Sequence, residues 1–252
     1  MTKKKNGKEL VVVAPTDYAA VKMEVDITEV IRTNLGNVKI SPLDLDQIKI
    51  PAAGGRVWSY ETLDGEVDSK IIEGIIVYTT TTRVYWKDSY EESGGGSPPD
   101  CVSIDMIHGR GEPGGMCPQC PLSEFKSAPV RKGQEESRGQ ACQERRFMFL
   151  VLPNAALPYV INLPPTSLNP SKRFLLRLAS NGISFYERIT RVELEPDKSA
   201  DGHKFSKAKF SVAGPVPNPD FWKEYSLKIA PMLQATAEEI ATEMEQDHPE
   251  TE

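Results

Sequence analysis

Four cysteines, Cys101, Cys117, Cys120 and Cys142, crowd into one stretch of a 252-residue chain. The segment that holds them, residues 101–144, carries six glycines and four prolines and few apolar residues. It is longer than an ordinary structureless loop and too polar to order itself on a core of its own. A bound metal would order it. Cys117-Pro118-Gln119-Cys120 is a C-x2-C pair, a turn in which two thiolates converge on one ion. Cys101 lies 16 positions before the pair and Cys142 lies 22 after it, each where Gly/Pro-rich sequence meets a candidate strand. We therefore expect one closed, structural zinc ion (Zn2+) held by all four. Other readings stay open at this point: unrelated buried thiols, a Cys117/Cys120 disulfide or redox pair without the usual βαβ context, or His108 as a ligand. A catalytic zinc keeps an open position, and the zinc-deaminase pattern requires a Glu where Arg110 stands.

The rest of the chain reads as strands with helices at either end. Lys3, Lys4, Lys5 and Lys8 make residues 1–9 a basic arm, expected to be flexible. The apolar run at 10–14 is short for a signal-peptide core, and no stretch approaches the roughly 18 apolar residues of a membrane span. A cytoplasmic protein is expected, in a compartment that favours metal over disulfide. Val21, Val25, Val30 and Ile31 have loosely helical spacing, with Asn34-Leu35-Gly36 as the stop. Strands follow at 57–60, 70–80 and 81–86, with a turn at Leu63-Asp64-Gly65. Residues 145–152 give a strand with Phe147, Phe149 and Val151 on one face, and 159–163 give another. Asn169 as N-cap and Pro170 at the first helical position open a helix that ends at Gly182. A hairpin at 183–195 and 204–213 precedes a terminal helix at 221–246. The expected fold is α+β and β-rich: an OB-like, partly open barrel with a long zinc-ordered loop and a C-terminal helix. Residues 10–235 form one domain with the zinc-binding insert at 101–144, and 236–252 form an acidic tail.

The charge is unevenly spread. Residues 238–252 hold seven acids and no Lys or Arg, and without those charges a net charge of −6 becomes +1 for the rest. A basic surface must then come from clustering. No Walker or dinucleotide loop is present, nor a nucleophile elbow, and the three histidines are scattered, so no enzyme is expected. Basic and aromatic residues do interleave. Arg83, Tyr85 and Lys87 alternate on one face of a strand, and Arg145 opens another. Lys172, Arg173 and Arg177, with Arg188 and Arg191, lie in a helix–strand segment whose one acid is Glu187. Aromatics stack bases and cations track phosphates in single-strand binding. Arg83, Tyr85, Lys87, Arg145, Lys172, Arg173 and Arg177 are accordingly the candidate nucleic-acid-binding residues. The acidic tail would compete for the same groove and recruit a protein partner.

Several blocks together resemble a known family. They are Trp58 with Thr62-Leu63-Asp64-Gly65, Glu73-Gly74-Ile75-Ile76-Val77, Tyr85-Trp86, and Pro98-Pro99-Asp100-Cys101-Val102-Ser103-Ile104-Asp105. Gly114-Gly115-Met116-Cys117-Pro118-Gln119-Cys120 with Phe125, Ala141-Cys142 before Arg146, and Leu163-Pro164-Pro165-Thr166-Ser167-Leu168 complete the set. Over residues 40–213 the chain resembles a family of uncharacterised zinc-containing proteins of tailed phages and mobile elements. The resemblance implies a phage-type origin, hence a bacterial host cell, and the four cysteines as metal ligands. It supplies no activity. In that family a Gly usually follows the residue matching Asp105; here Met106 stands there. The expected function is non-enzymatic binding of single-stranded DNA, with RNA as the second candidate, and no membrane. The alternative is a phage-encoded module that acts on a host replication or transcription protein.

Overall fold

The computed structural model describes residues 27–36, 44–88, 94, 97–130, 136–137, 139–153, 155–198, 202 and 204–244. The basic arm at 1–9, Val21 and Val25 of the expected first helix, and the end of the tail at 245–252 lie outside the described residues. Helix α1 (Ile27–Leu35) stops as its sequence suggests. Gly36 takes φ +68°, which an L side chain rarely adopts, and its N–H reaches the Arg32 carbonyl at 2.8 Å.

The strands run in chain order as β1 (Gln47–Ile48), β2 (Trp58–Thr62), β3 (Gly65–Ser69), β4 (Ile71–Tyr85), β5 (Cys101–Ser103), β6 (His108–Gly111), β7 (Gly115–Met116), β8 (Gln143–Val151) and β9 (Tyr159–Leu163). Helix α2 (Pro165–Ser180), the hairpin β10 (Arg188–Lys198) and β11 (Lys204–Pro215), and helix α3 (Pro219–Glu243) follow. The two strands expected at 70–86 are one: the Thr79–Thr82 run keeps its pairing with β8 without a break. The main sheet is ordered β1-β9-β8-β4-β5-β6-β7, and β10 pairs with the first residues of β4 and with β11. β2 and β3 form a separate hairpin. The result is a strand-rich α+β fold with an open sheet: among the described residues no pairing joins β11 back to β1.

Both faces of the sheet are covered. Phe147, Phe149 and Val151 of β8 pack with Ile75, Val84 and Val102 under Trp222, Leu233, Ala237 and Ile240 of α3. Met148, Leu150 and Leu152 point the other way, with Ile72, Ile76, Ile161 and Val192, under Phe174 and Leu178 of α2. A strand buried on both sides reads as an unbroken apolar run rather than an alternating one. Each fully buried side chain of this kind contributes about 1.5–3 kcal/mol.

β4 changes register against β8 at Val77, between Ile76 and Tyr78. The extra residue is a bulge, which bends a strand. Ser226 on α3 answers the displaced carbonyl, its hydroxyl donating to Val77 O at 2.6 Å from a buried position. Replacing Ser226 by Ala should destabilise the fold by about 1–3 kcal/mol, the cost of a buried acceptor left unmade. A shift of the chemical-denaturation midpoint at unchanged slope would show it.

Two boundaries differ from expectation. Helix α2 begins at Pro165, with Pro164 as its cap residue, and not at Asn169-Pro170. Proline suits the first helical position because that N–H has no partner inside the helix. Pro165 takes that position first, and Pro170 is carried in the second turn at the cost of one backbone bond. Residues 236–243, placed in the acidic tail by the boundary at 235, are the last turns of α3, within the helix expected at 221–246. Thr236, Ala237, Ile240 and Ala241 are buried there.

Candidate metal centre and basic cleft

The C-terminal end of β4 gathers the cysteines. Tyr85 pairs with Cys101 on one edge, and Val84 pairs with Gln143 on the other. Cys101 and Cys142 therefore flank Tyr85 on either side of β4. β5 turns back into β6 through a hairpin that needs Gly111: its φ is +104°, and a Cβ there would lie 2.1 Å from the Asp100 carbonyl oxygen. Asp105 shapes that hairpin by accepting the N–H groups of Ile107 (2.8 Å) and His108 (2.7 Å) and His108 Nδ1 (2.7 Å). These bonds hold its carboxyl well below the usual carboxylate range. Met106 takes φ +65°, the left-handed conformation for which glycine is the easy choice.

The C-x2-C turn follows β7. Cys117 N–H donates to Ile107 O at 2.8 Å, and Cys120 N–H donates to Cys117 O at 3.1 Å to close a 3-10 turn. A second such turn, Pro121–Ser123, carries the chain on. Its Ser123 hydroxyl lies 2.9 Å from Cys117 O and 2.7 Å from Cys120 O, and Leu122 O accepts the Cys142 N–H at 2.8 Å. One network of backbone bonds thus joins the turn to the strand that enters at Cys142. Ser123 and Leu122 were not legible as parts of this network.

All four thiols are free; Cys101, Cys117 and Cys142 are buried and Cys120 is half-buried. Burial pushes the Cys101 thiol up, the Gly114 N–H opposes this, and Cys117 and Cys120 add to it. Burial pushes Cys142 to about 11 against the pull of the Arg83 charge, and Cys101 and Cys117 raise it further. Each thiol therefore lies within electrostatic reach of others in the set. Among the described residues no three His, Cys, Asp or Glu side chains are closed around a point. The donor chemistry nonetheless fits a soft dication: four sulfurs, the Gly114 N–H on that of Cys101, and Gly109 so close to Cys101 that a Cβ would sit 3.0 Å from its Sγ. His108 is exposed, and its Nδ1 is held by Asp105.

A second feature lies across the sheet. Between α2 and β11 runs a cleft of about 380 Å³ lined by Asn169, Arg173, Arg177, Glu195, Lys207 and Lys209 among others. It has four cations and one carboxylate. Glu195 holds Lys209 at 2.7 Å, and Asp197 lies 3.5 Å from Lys207. The Arg173 and Arg177 side chains make no ion pair among the described residues.

No protein-family model, curated protein or solved structure matches the chain.

The candidate nucleic-acid residues divide three ways. Arg173 and Arg177 share the cleft, and Lys172 is exposed on the same helix. Arg83 and Tyr85 belong to the cysteine end of β4, where Arg83 Nη2 bonds Glu144 Oε1 at 2.5 Å. Lys87 is exposed just beyond, its backbone N–H on Asp100 Oδ2 at 2.8 Å. Arg145 is corrected: it is 1% exposed and bonds Gln143 Oε1 at 2.8 Å, turned to the face that α3 covers. It cannot meet a phosphate in that position. Arg191 is taken by Glu73 at 2.5 Å. Lys207 and Lys209 were missed, though the Lys-x-Lys alternation of a strand was there to be read. The one exposed large aromatic among the described residues, Phe125 at 76%, sits in the cysteine insert and not on the strands. No helix among the described residues is long and apolar enough to cross a membrane.

Proposed function

We propose that this chain is a non-enzymatic, zinc-stabilised nucleic-acid-binding protein that takes single-stranded DNA, or RNA through the same phosphates, in the replication or recombination of a phage or mobile element. The observation that carries the reading is the cleft lined by Arg173 and Arg177 of α2 together with Lys207 and Lys209 of β11. Cations lining a groove attract a polyanion and release its counterions. Cys101, Cys117, Cys120 and Cys142 would hold the zinc. Four thiolates fill a tetrahedral shell and leave no position for a reacting water, which supports a structural role. The OB-like reading belongs with this proposal: a bulged β4 that shares its edges among β8, β10 and β5 is how a sheet curls toward a barrel. Fluorescence anisotropy with labelled oligonucleotides at low salt tests it. Binding that weakens steeply with salt is the expected result, and no binding to any single strand sinks the proposal.

A second reading, a module that docks on a host protein, is favoured by the cysteine insert. Phe125 and Met116 are exposed there, beside an open depression of about 460 Å³ lined by Pro113, Met116, Cys120 and Leu122. A single stoichiometric host protein captured free of nucleic acid would favour it.

A further inference from the structure

Arg83 has the residue type of a phosphate contact but the surroundings of a metal site. It pairs with Glu144 across β4 and β8, and Cys142 lies two residues back along β8's entry. On neighbouring antiparallel strands, such diagonal positions share a face and are within reach of a long side chain. The Arg83 side chain is 13% exposed, and Nη2 is bonded to Glu144. Nη1 is buried and has no hydrogen-bond partner among the described residues. The Cys142 thiol is close enough to the same guanidinium to feel its charge.

We infer that Arg83 is a positioning residue of the metal centre: Glu144 fixes the guanidinium, and the free Nη1–H caps the Cys142 sulfur when the four cysteines hold zinc. The inference rests on the zinc reading above. Four thiolates around one dication leave two negative charges uncompensated in a largely buried site, where a charge without a partner is costly. A fixed guanidinium offsets part of that charge, and it satisfies an N–H that otherwise has no acceptor. Hydrogen bonds to the ligands are the usual means by which a protein tunes a metal it already holds.

The test is zinc release from the full chain into excess chromophoric chelator at fixed pH. Arg83→Gln should release zinc about 10- to 100-fold faster than the parent protein. Arg83→Lys, which keeps the charge and one donor, should recover part of that loss. Glu144→Gln still accepts from Arg83 and should stay close to the parent rate. Should Arg83→Gln fail to fold, the cobalt-loaded Arg83→Lys protein reads the same contact through a shifted thiolate-to-metal absorption band. Equal release from Arg83→Gln and parent overturns the inference. So does equal damage from Arg83→Gln and Glu144→Gln, the mark of a plain ion pair. Lower oligonucleotide affinity with unchanged zinc release also overturns it and returns Arg83 to the phosphate surface. A parent protein that binds no zinc is a separate outcome, which removes the metal reading and this inference with it.

Discussion

Removing the metal with a chelator, or replacing Cys117 by Ser, should open residues 101–144 and leave the helix-covered sheet folded. The insert contributes little to either core: Val102 is buried in the cluster under α3, with Ile104 packed partly against it. Its other order comes from backbone bonds such as Cys117 N–H to Ile107 O and Cys142 N–H to Leu122 O. Bonds of that kind are worth about 1 kcal/mol each in water and do not hold a polar segment by themselves. Structural zinc supplies on the order of 10 kcal/mol in isolated fingers. A third of that, about 3 kcal/mol, would open the segment on the order of 100-fold less often. Hydrogen exchange with and without chelator reads the difference, residue range by residue range. Protection should collapse within the insert and persist in β8, β9 and α3. Equal protection in both conditions would remove the structural role of the cysteines. Gly111→Ala should weaken the same segment by another route, because its Cβ would collide with Asp100.

The elements legible in the sequence are those whose signal is local. β9 was expected at 159–163 and spans Tyr159–Leu163. The hairpin expected at 183–195 and 204–213 is β10–β11, and its pairing runs from Arg188 with Pro215 to Lys198 with Lys204. Gly182 ends α2 with φ +68°, as a C′ glycine does. What was not legible depends on partners far along the chain. Arg145 and Arg146 are consecutive strand residues, so one must face each side of the sheet. Which of the two is fully buried is decided by α3, more than 70 positions later. Arg145 lost its solvent to that helix, while Arg146 reaches Thr81 Oγ1 and Ser171 Oγ on the other face. Arg83 likewise has the alternation of a surface cation, but Glu144 takes it from across the strand. The domain boundary at 235 cuts through the helix expected at 221–246. Acidic residues dominate 238–252, yet Ala237, Ile240 and Ala241 keep helical spacing and are buried, so packing carries the helix into the acidic run.

Changing Arg173 and Arg177 together to Ala should weaken oligonucleotide binding by on the order of tenfold or more at low salt, with little change in stability. Both side chains are exposed and make no ion pair among the described residues, so their removal costs the fold little, within about 0.5 kcal/mol. The decisive reading is the salt dependence. Each phosphate contact on a single strand contributes about −0.7 to the slope of log affinity against log salt. Two lost contacts should flatten that slope by about 1.4, a change that indirect damage to the site would not produce. Lys207→Ala with Lys209→Ala should act in the same direction but less, because those ammonium groups already share Asp197 and Glu195 and give up that pairing when a phosphate arrives. Arg110→Ala is the control: it is an exposed cation held by Glu238 at the cysteine end, outside the cleft, and its loss should leave the slope alone. A slope that responds to Lys87→Ala and not to Arg173 and Arg177 would move the phosphate path off the cleft and onto the strand face beside Tyr85. The cysteine insert and the binding surface would then be one site and not two.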